Sequence, residues 1–190
     1  MTDIVLSHLY KAFDGKPVLS DFSAVFPAGE ITAVMGHSGA GKTTLLRILM
    51  GLESADSGTV SGMQGAKLAV VFQEDRLLEF MSPVGNIRLI APSLSEEVIG
   101  RELAAMNLGG CMAQPVRELS GGMRRRVAIL RALLAQSDVL LLDEPFKGLD
   151  EETKSCVIER TRALSRGKTV ILVTHDEREA KAMGARVIGV

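Results

Sequence analysis

Eight consecutive residues, Gly36-His37-Ser38-Gly39-Ala40-Gly41-Lys42-Thr43, have the types and spacing of a phosphate cradle. They fit G-x-x-x-x-G-K-[ST], in which glycines let backbone N–H groups close on an anion without Cβ collisions and the helix that follows adds its positive end. The Lys42 ammonium is then expected on the β/γ-phosphates of a nucleotide and the Thr43 hydroxyl on Mg²⁺, with Thr44 beside them in the same turn. A second pair of groups stands far along the chain, where the apolar run Val139-Leu140-Leu141-Leu142 ends in Asp143-Glu144-Pro145. A buried strand ending in two carboxylates delivers them to the carboxyl edge of a sheet, where open α/β folds bind ligands. Asp143 is placed to hold the metal through its water shell, and Glu144 to accept a proton from an attacking water. Alone, Asp143-Glu144 also reads as a strand stop with a solvated acidic turn; the glycine loop upstream favours phosphate chemistry.

Elements must hold these groups. The apolar runs Ile31 to Val34, Lys67 to Phe72, Val139 to Leu142 and Thr169 to Thr174 do not alternate, which suits strands covered on both faces of a parallel sheet. Thr44 to Leu52 carries Leu45, Ile48, Leu49 and Leu52 at helical spacing, and Gly122 to Gln136 carries Val127, Leu130, Leu133 and Leu134 likewise. Ile4 to Leu9 and Val18 to Phe26 alternate loosely around Asp14-Gly15, which predicts antiparallel strands laid against the main sheet. Between Ser82 and Pro115, three prolines bracket helix-like patterning, so a small helical part is expected at about 82–118. The fold class is therefore α/β: a mostly parallel sheet with flanking helices, an N-terminal antiparallel β part and a small helical part, in one domain spanning 1–190.

Composition excludes several alternatives. With 22 Lys+Arg against 23 Asp+Glu the net charge is −1, so the basic excess that coats nucleic acid or anionic lipid is missing and no nucleic-acid partner is expected. A hydrophobic fraction of 46% excludes disorder. No run approaches the ~18 apolar residues of a membrane span, and Met1 to Tyr10 lacks the pattern of an export signal. Cys111 and Cys156 are too few and too far apart for a disulfide scaffold and read as reduced, structural thiols. Arg124-Arg125-Arg126 reads as a solvated face, and the nine methionines as packing filler.

Leu119-Ser120-Gly121-Gly122-Met123 adds a third element. Together with the loop at Gly36, the Asp143-Glu144 strand and His175, in that order, it resembles the nucleotide-binding domain of ATP-binding cassette (ABC) transporters. Ser120, Gly121 and Gly122 precede a helix and so form a second anion nest, while the first already holds its own nucleotide. Both nests are filled only if two copies pair head to tail, and the resemblance implies such a homodimer with ATP and Mg²⁺ between the subunits. It further implies a P-loop NTPase core, ATP hydrolysis, a separate integral membrane permease and a solute-binding protein as partners, import more than export, and a position on the cytoplasmic face of the membrane. By resemblance Gln73 touches Mg²⁺ and senses the permease, His175 meets the γ-phosphate, Asp150 in Gly148-Leu149-Asp150 lies at the dimer seam, and Phe13 stacks on adenine, with Tyr10 competing. Val70 to Leu78 resembles the nitrate, sulfonate and taurine branch of importer ATPases.

The chain departs from the family pattern at Met123, where Gln is usual, at the bulky Lys147, and in having 15 residues after His175, which implies reduced final elements and no regulatory domain beyond them. Two rivals remain. A soluble ABC-type ATPase acting on DNA or ribosomes usually carries an insertion between cradle and signature or a second cassette, and neither is present in the 77 positions from Thr43 to Ser120 or elsewhere. A P-loop kinase or GTPase leaves Leu119 to Met123, Glu144 and His175 without work.

Overall fold

The computed structural model describes residues 2–190. Its centre is a five-stranded parallel sheet of order β5-β6-β7-β3-β8, formed by β3 (Ile31–Met35), β5 (Leu68–Val71), β6 (Val139–Asp143), β7 (Thr169–Val173) and β8 (Arg186–Gly189). Every residue of β6 and β7 is buried, as expected of strands with both faces covered. Side chains still alternate between two cores. Leu140, Leu142, Val170 and Leu172 face one hydrophobic cluster, and Val139, Leu141, Ile171 and Val173 face the other.

The first cluster is closed by α4 (Gly121–Leu134), α5 (Glu151–Leu164) and α6 (Glu177–Met183), together with the helical stretch made by α2 (Pro83–Arg88), α3 (Glu96–Ala105) and 3₁₀ turns at Gly109–Cys111 and Val116–Glu118. These helices occupy the span predicted to be helical. The second cluster is closed by α1 (Lys42–Leu49) and an antiparallel sheet of order β2-β1-β4, from β1 (Ile4–Phe13), β2 (Lys16–Phe26) and β4 (Ser57–Ser61). The loose alternation of β1 has a cause. Its register shifts between Leu6 and Leu9, where His8 adopts a φ of 50° and donates its N–H to Ser23 Oγ, so Leu6 and Leu9 both point inward.

Two expectations need correction. The helix after the glycine loop ends at Leu49, and Leu52, read as part of its apolar face, lies beyond it and is 63% exposed. Backbone bonds from the Leu52 and Glu53 N–H groups to Arg47 O close the helix early. The three arginines at the start of α4 are not a solvated face, since none is exposed and Arg125 is buried. Cys111 is buried and Cys156 half-buried, and both carry free thiols. Among the described residues no helix is long and apolar enough to cross a membrane.

Candidate functional site

Four neighbouring strands of the parallel sheet, in the order β5, β6, β7, β3, end on the same edge of the molecule. From those ends come Gln73, Asp143 with Glu144, His175, and the Gly36–Thr43 loop. Parallel strands point their carboxyl ends one way, so residues from four distant parts of the chain converge on one crevice. A cavity of about 690 Å³ lies there, lined by Gly36, His37, Ser38, Gly39, Gly41, Lys42, Thr43, Thr44, Gln73, Asp143, Glu144 and His175, joined by Val18, Val173 and Lys147. Its size suits a nucleotide.

The loop is shaped for an anion. Gly41 has φ 92°, and a Cβ there would come within 2.7 Å of Val18 O, so only glycine fits. At Gly36 a Cβ would meet Val190 O at 2.8 Å. Helix α1 has no side-chain cap, whereas α2 to α6 are capped by Ser82, Ser95, Ser120, Asp150 and Asp176. The N–H groups that open α1 are thus left for a ligand. The Lys42 Nζ donates to Gly36 O and His37 O, both at 2.8 Å, so its charge is held on the loop it serves.

Opposite the loop, Thr43 Oγ1 donates to Asp143 Oδ2 at 3.2 Å, joining residues 100 positions apart. Burial pushes the Asp143 carboxyl above its usual range, the neighbouring Glu144 charge adds to this, and the Thr43 hydrogen bond, Arg125 and Lys42 oppose it. A buried carboxylate short of positive charge, beside a hydroxyl and the Gln73 amide, is a hard oxygen site that fits Mg²⁺ bound together with phosphate oxygens. Among the described residues no cluster of three or more His, Cys, Asp or Glu could hold a metal ion by itself. Glu144 has φ 48°, uncommon for a non-glycine residue. Its carboxylate is 16% exposed and lies 2.8 Å from the Nδ1 of the more open His175, with which it pairs.

Six predicted site residues lie outside this cavity, as does Tyr10, the alternative to Phe13. Ala40 lines a shallow neighbouring pocket with Pro17 and Val190. Phe13 and Tyr10 are both exposed on β1 and neither lines the cavity; Phe13 carries the Lys11 ammonium over its ring at 5.0 Å. Ser120, Gly121 and Gly122 open α4, where Ser120 Oγ accepts the Met123 N–H at 3.3 Å and a Cβ on Gly121 would meet open space. Glycine at 121 is therefore not required by packing within one subunit. Asp150 caps α5 through the Thr153 N–H at 2.9 Å.

Sequence reasoning missed Arg125. It is 5% exposed, and its guanidinium reaches Pro145 O from Nε (2.8 Å), Asp143 O and Glu144 O from Nη2 (2.9 and 2.8 Å), and Phe72 O, Gln73 O and Asp75 Oδ1 from Nη1 (2.5, 3.3 and 3.4 Å). Burial draws its pKa down and the Asp75 charge opposes that. Arg124 donates to Leu119 O, and Arg126 to Met106 O and Asn107 O. No signal in the sequence separates these arginines from a surface run, because all their hydrogen-bond partners but Asp75 are main-chain carbonyls.

The family model described as ABC transporter matches residues 19–147, which contain the glycine loop, the signature and the Asp143-Glu144 pair. The chain belongs to the ABC transporter family. It is 40% identical to the aliphatic sulfonates import ATP-binding protein SsuB 2 of Agrobacterium fabrum over 95% of this chain and 73% of that protein. To the taurine import ATP-binding protein TauB of Escherichia coli O157:H7 it is 36% identical, over 96% of this chain and 77% of the relative. Among solved structures, the dimeric bacterial ABC transporter cassette MJ0796 superposes with a TM-score of 0.83 at 27% identity, covering 98% of this chain and 94% of that one. This ABC cassette is thus an ATP-binding ATPase subunit, and the kinase and GTPase rivals fall away.

Proposed function

We propose that residues 1–190 act as one ATPase domain that works as a head-to-tail homodimer and powers uptake of a sulfonate-class solute through a separate permease. The observation that carries the ATPase part is the convergence of the Gly36–Thr43 loop, Thr43–Asp143 and Glu144–His175 on one cavity of about 690 Å³. Relatives named for aliphatic sulfonate and taurine import support the solute class and the direction.

In this reading the triphosphate lies along the open end of α1, and Lys42 exchanges its two loop carbonyls for β/γ-phosphate oxygens, a stronger charge-assisted bond. Thr43, Asp143 and Gln73 would hold Mg²⁺, which would supply charge to neutralise the phosphates. Glu144 takes a proton from the water aligned with the γ-phosphate, and His175 orients that carboxylate and faces the γ-phosphate. Phe13 stacks on adenine. Ser120, Gly121 and Gly122 of each subunit close on the nucleotide of the other, using main-chain N–H groups that need no side chain at position 123, and Asp150 lies at the seam. The Gln73 loop and the exposed apolar residues Leu78, Phe80, Leu89 and Ile90 beside it face the permease at the cytoplasmic side of the membrane. A solute-binding protein on the other side completes the importer.

The test is reconstitution with the permease and binding protein in liposomes. ATP turnover is expected to rise several-fold on addition of taurine or an alkanesulfonate to the binding-protein side. Stimulation by DNA or ribosomes instead would overturn the transport reading in favour of the soluble alternative.

A further inference from the structure

Arg125 ties three separate stretches of chain together. Five of its six acceptors are main-chain carbonyls, so it holds the path of the backbone. Two belong to Asp143 and Glu144 and one to Gln73, the residues assigned above to the metal, the water and the permease. Glu144 in particular sits at φ 48°, a conformation that persists only where the surroundings over-determine it. Its N–H donates to Val173 O at 2.9 Å and its C=O accepts from Arg125, which pins the turn from both sides. Arg125 is itself fixed in α4, little more than one turn after the Ser120 cap.

We propose that Arg125 is a positioning residue that locks the backbones of Gln73 and Glu144 to the signature helix. When a second copy's triphosphate docks at Ser120, the displacement of α4 is passed to this subunit's own Glu144. The proposal rests on the dimer reading above. A lysine cannot replace it, because a single ammonium on a flexible stem cannot reproduce a planar fork of five donors.

The experiment compares Arg125→Gln and Arg125→Lys with the parent chain, measuring affinity for MgATP and steady-state hydrolysis. Arg131→Gln is the control, since Arg131 donates to Asp75 O and Arg76 O of the same loop but not to Asp143 or Glu144. Both Arg125 variants are expected to bind MgATP within about threefold of the parent while kcat falls ~10- to 100-fold, the size of effect that a misplacement of about 1 Å produces. Lysine is expected to give no rescue, and Arg131→Gln to stay within about threefold of the parent. Turnover near the parent value in either Arg125 variant, or an equal loss in Arg131→Gln, overturns the assignment. If neither Arg125 variant folds, hydrogen exchange on Glu144→Gln with and without MgATP decides. Residues 72–76 and 143–147 must then gain protection together with 121–125, and a change in one group without the others overturns the proposal. Failure of the parent to bind ATP or to pair would sink the dimer reading; a normal parent with unaffected variants sinks only the role of Arg125.

Discussion

In the proposed mechanism Lys42 serves binding and Glu144 hydrolysis, so their variants should separate the two. Removing the Lys42 ammonium takes away a charge-assisted contact of about 1.5–3 kcal/mol, and Lys42→Ala is expected to weaken ATP binding at least tenfold by fluorescent-nucleotide titration. Unchanged affinity would contradict the cradle. Glu144→Gln keeps the shape of the side chain and loses the base, so ATP should bind as before while hydrolysis falls ~10²- to 10⁴-fold. Turnover near the parent rate in that variant would remove Glu144 from the role. At this scale the cavity was legible where its residues stand together in the sequence: most of Gly36 to Thr43, and Asp143 with Glu144, line it. Arg125 was not, because five of its six acceptors are main-chain carbonyls 18 to 53 positions away, which any residue type carries. Phe13 and Tyr10 are alike in type and close in sequence, and both stand exposed on β1 outside the cavity lining.

The elements do their work by where they end. β3, β5, β6 and β7 stop on one edge, and α1 begins there without a cap; all four strands were visible as short apolar runs, and the α1 turn as glycines. The limits were less visible, since the exit of α1 at Leu49 is set by bonds back to Arg47 O and not by its apolar pattern. Gly41→Ala would force a Cβ against Val18 O in a left-handed conformation, which is expected to cost ~1–3 kcal/mol in urea unfolding and to weaken ATP binding as well. Helix α6 provides a pH test. Asp176 caps it through the Arg178 N–H at 2.8 Å and pairs with the Arg178 guanidinium, which lowers its carboxyl to about 2. A carboxyl depressed in the folded state stabilises above its unfolded value near 3.8 and loses that contribution as pH falls toward 2. Asp176→Asn should therefore unfold more easily than the parent at pH 5, with the difference shrinking between pH 4 and pH 2 in denaturant titrations. A constant difference across that range would show the ionised carboxylate to be without effect.

At the level of the whole molecule, the proposed mechanism asks each subunit to present two anion nests. The cavity at α1 gathers its own loop, Asp143, Glu144 and His175, whereas Ser120, Gly121 and Gly122 open α4 outside that cavity, with space above Gly121 that no neighbour fills. The solved cassette to which the chain is similar, with a TM-score of 0.83, is described as dimeric, and pairing of this chain is the proposal to be tested. The pattern of apolar runs and motifs made the α/β core legible in advance; the proposed contact between copies is not legible in the fold of one chain, because it would be built from surfaces that a single chain leaves apart. The most direct test is the mass of the Glu144→Gln protein in solution by light scattering, with and without MgATP. A monomer of 20.3 kDa that doubles only with MgATP, and does not double in Lys42→Ala, is the predicted result; a single unchanged mass at saturating MgATP would contradict the account.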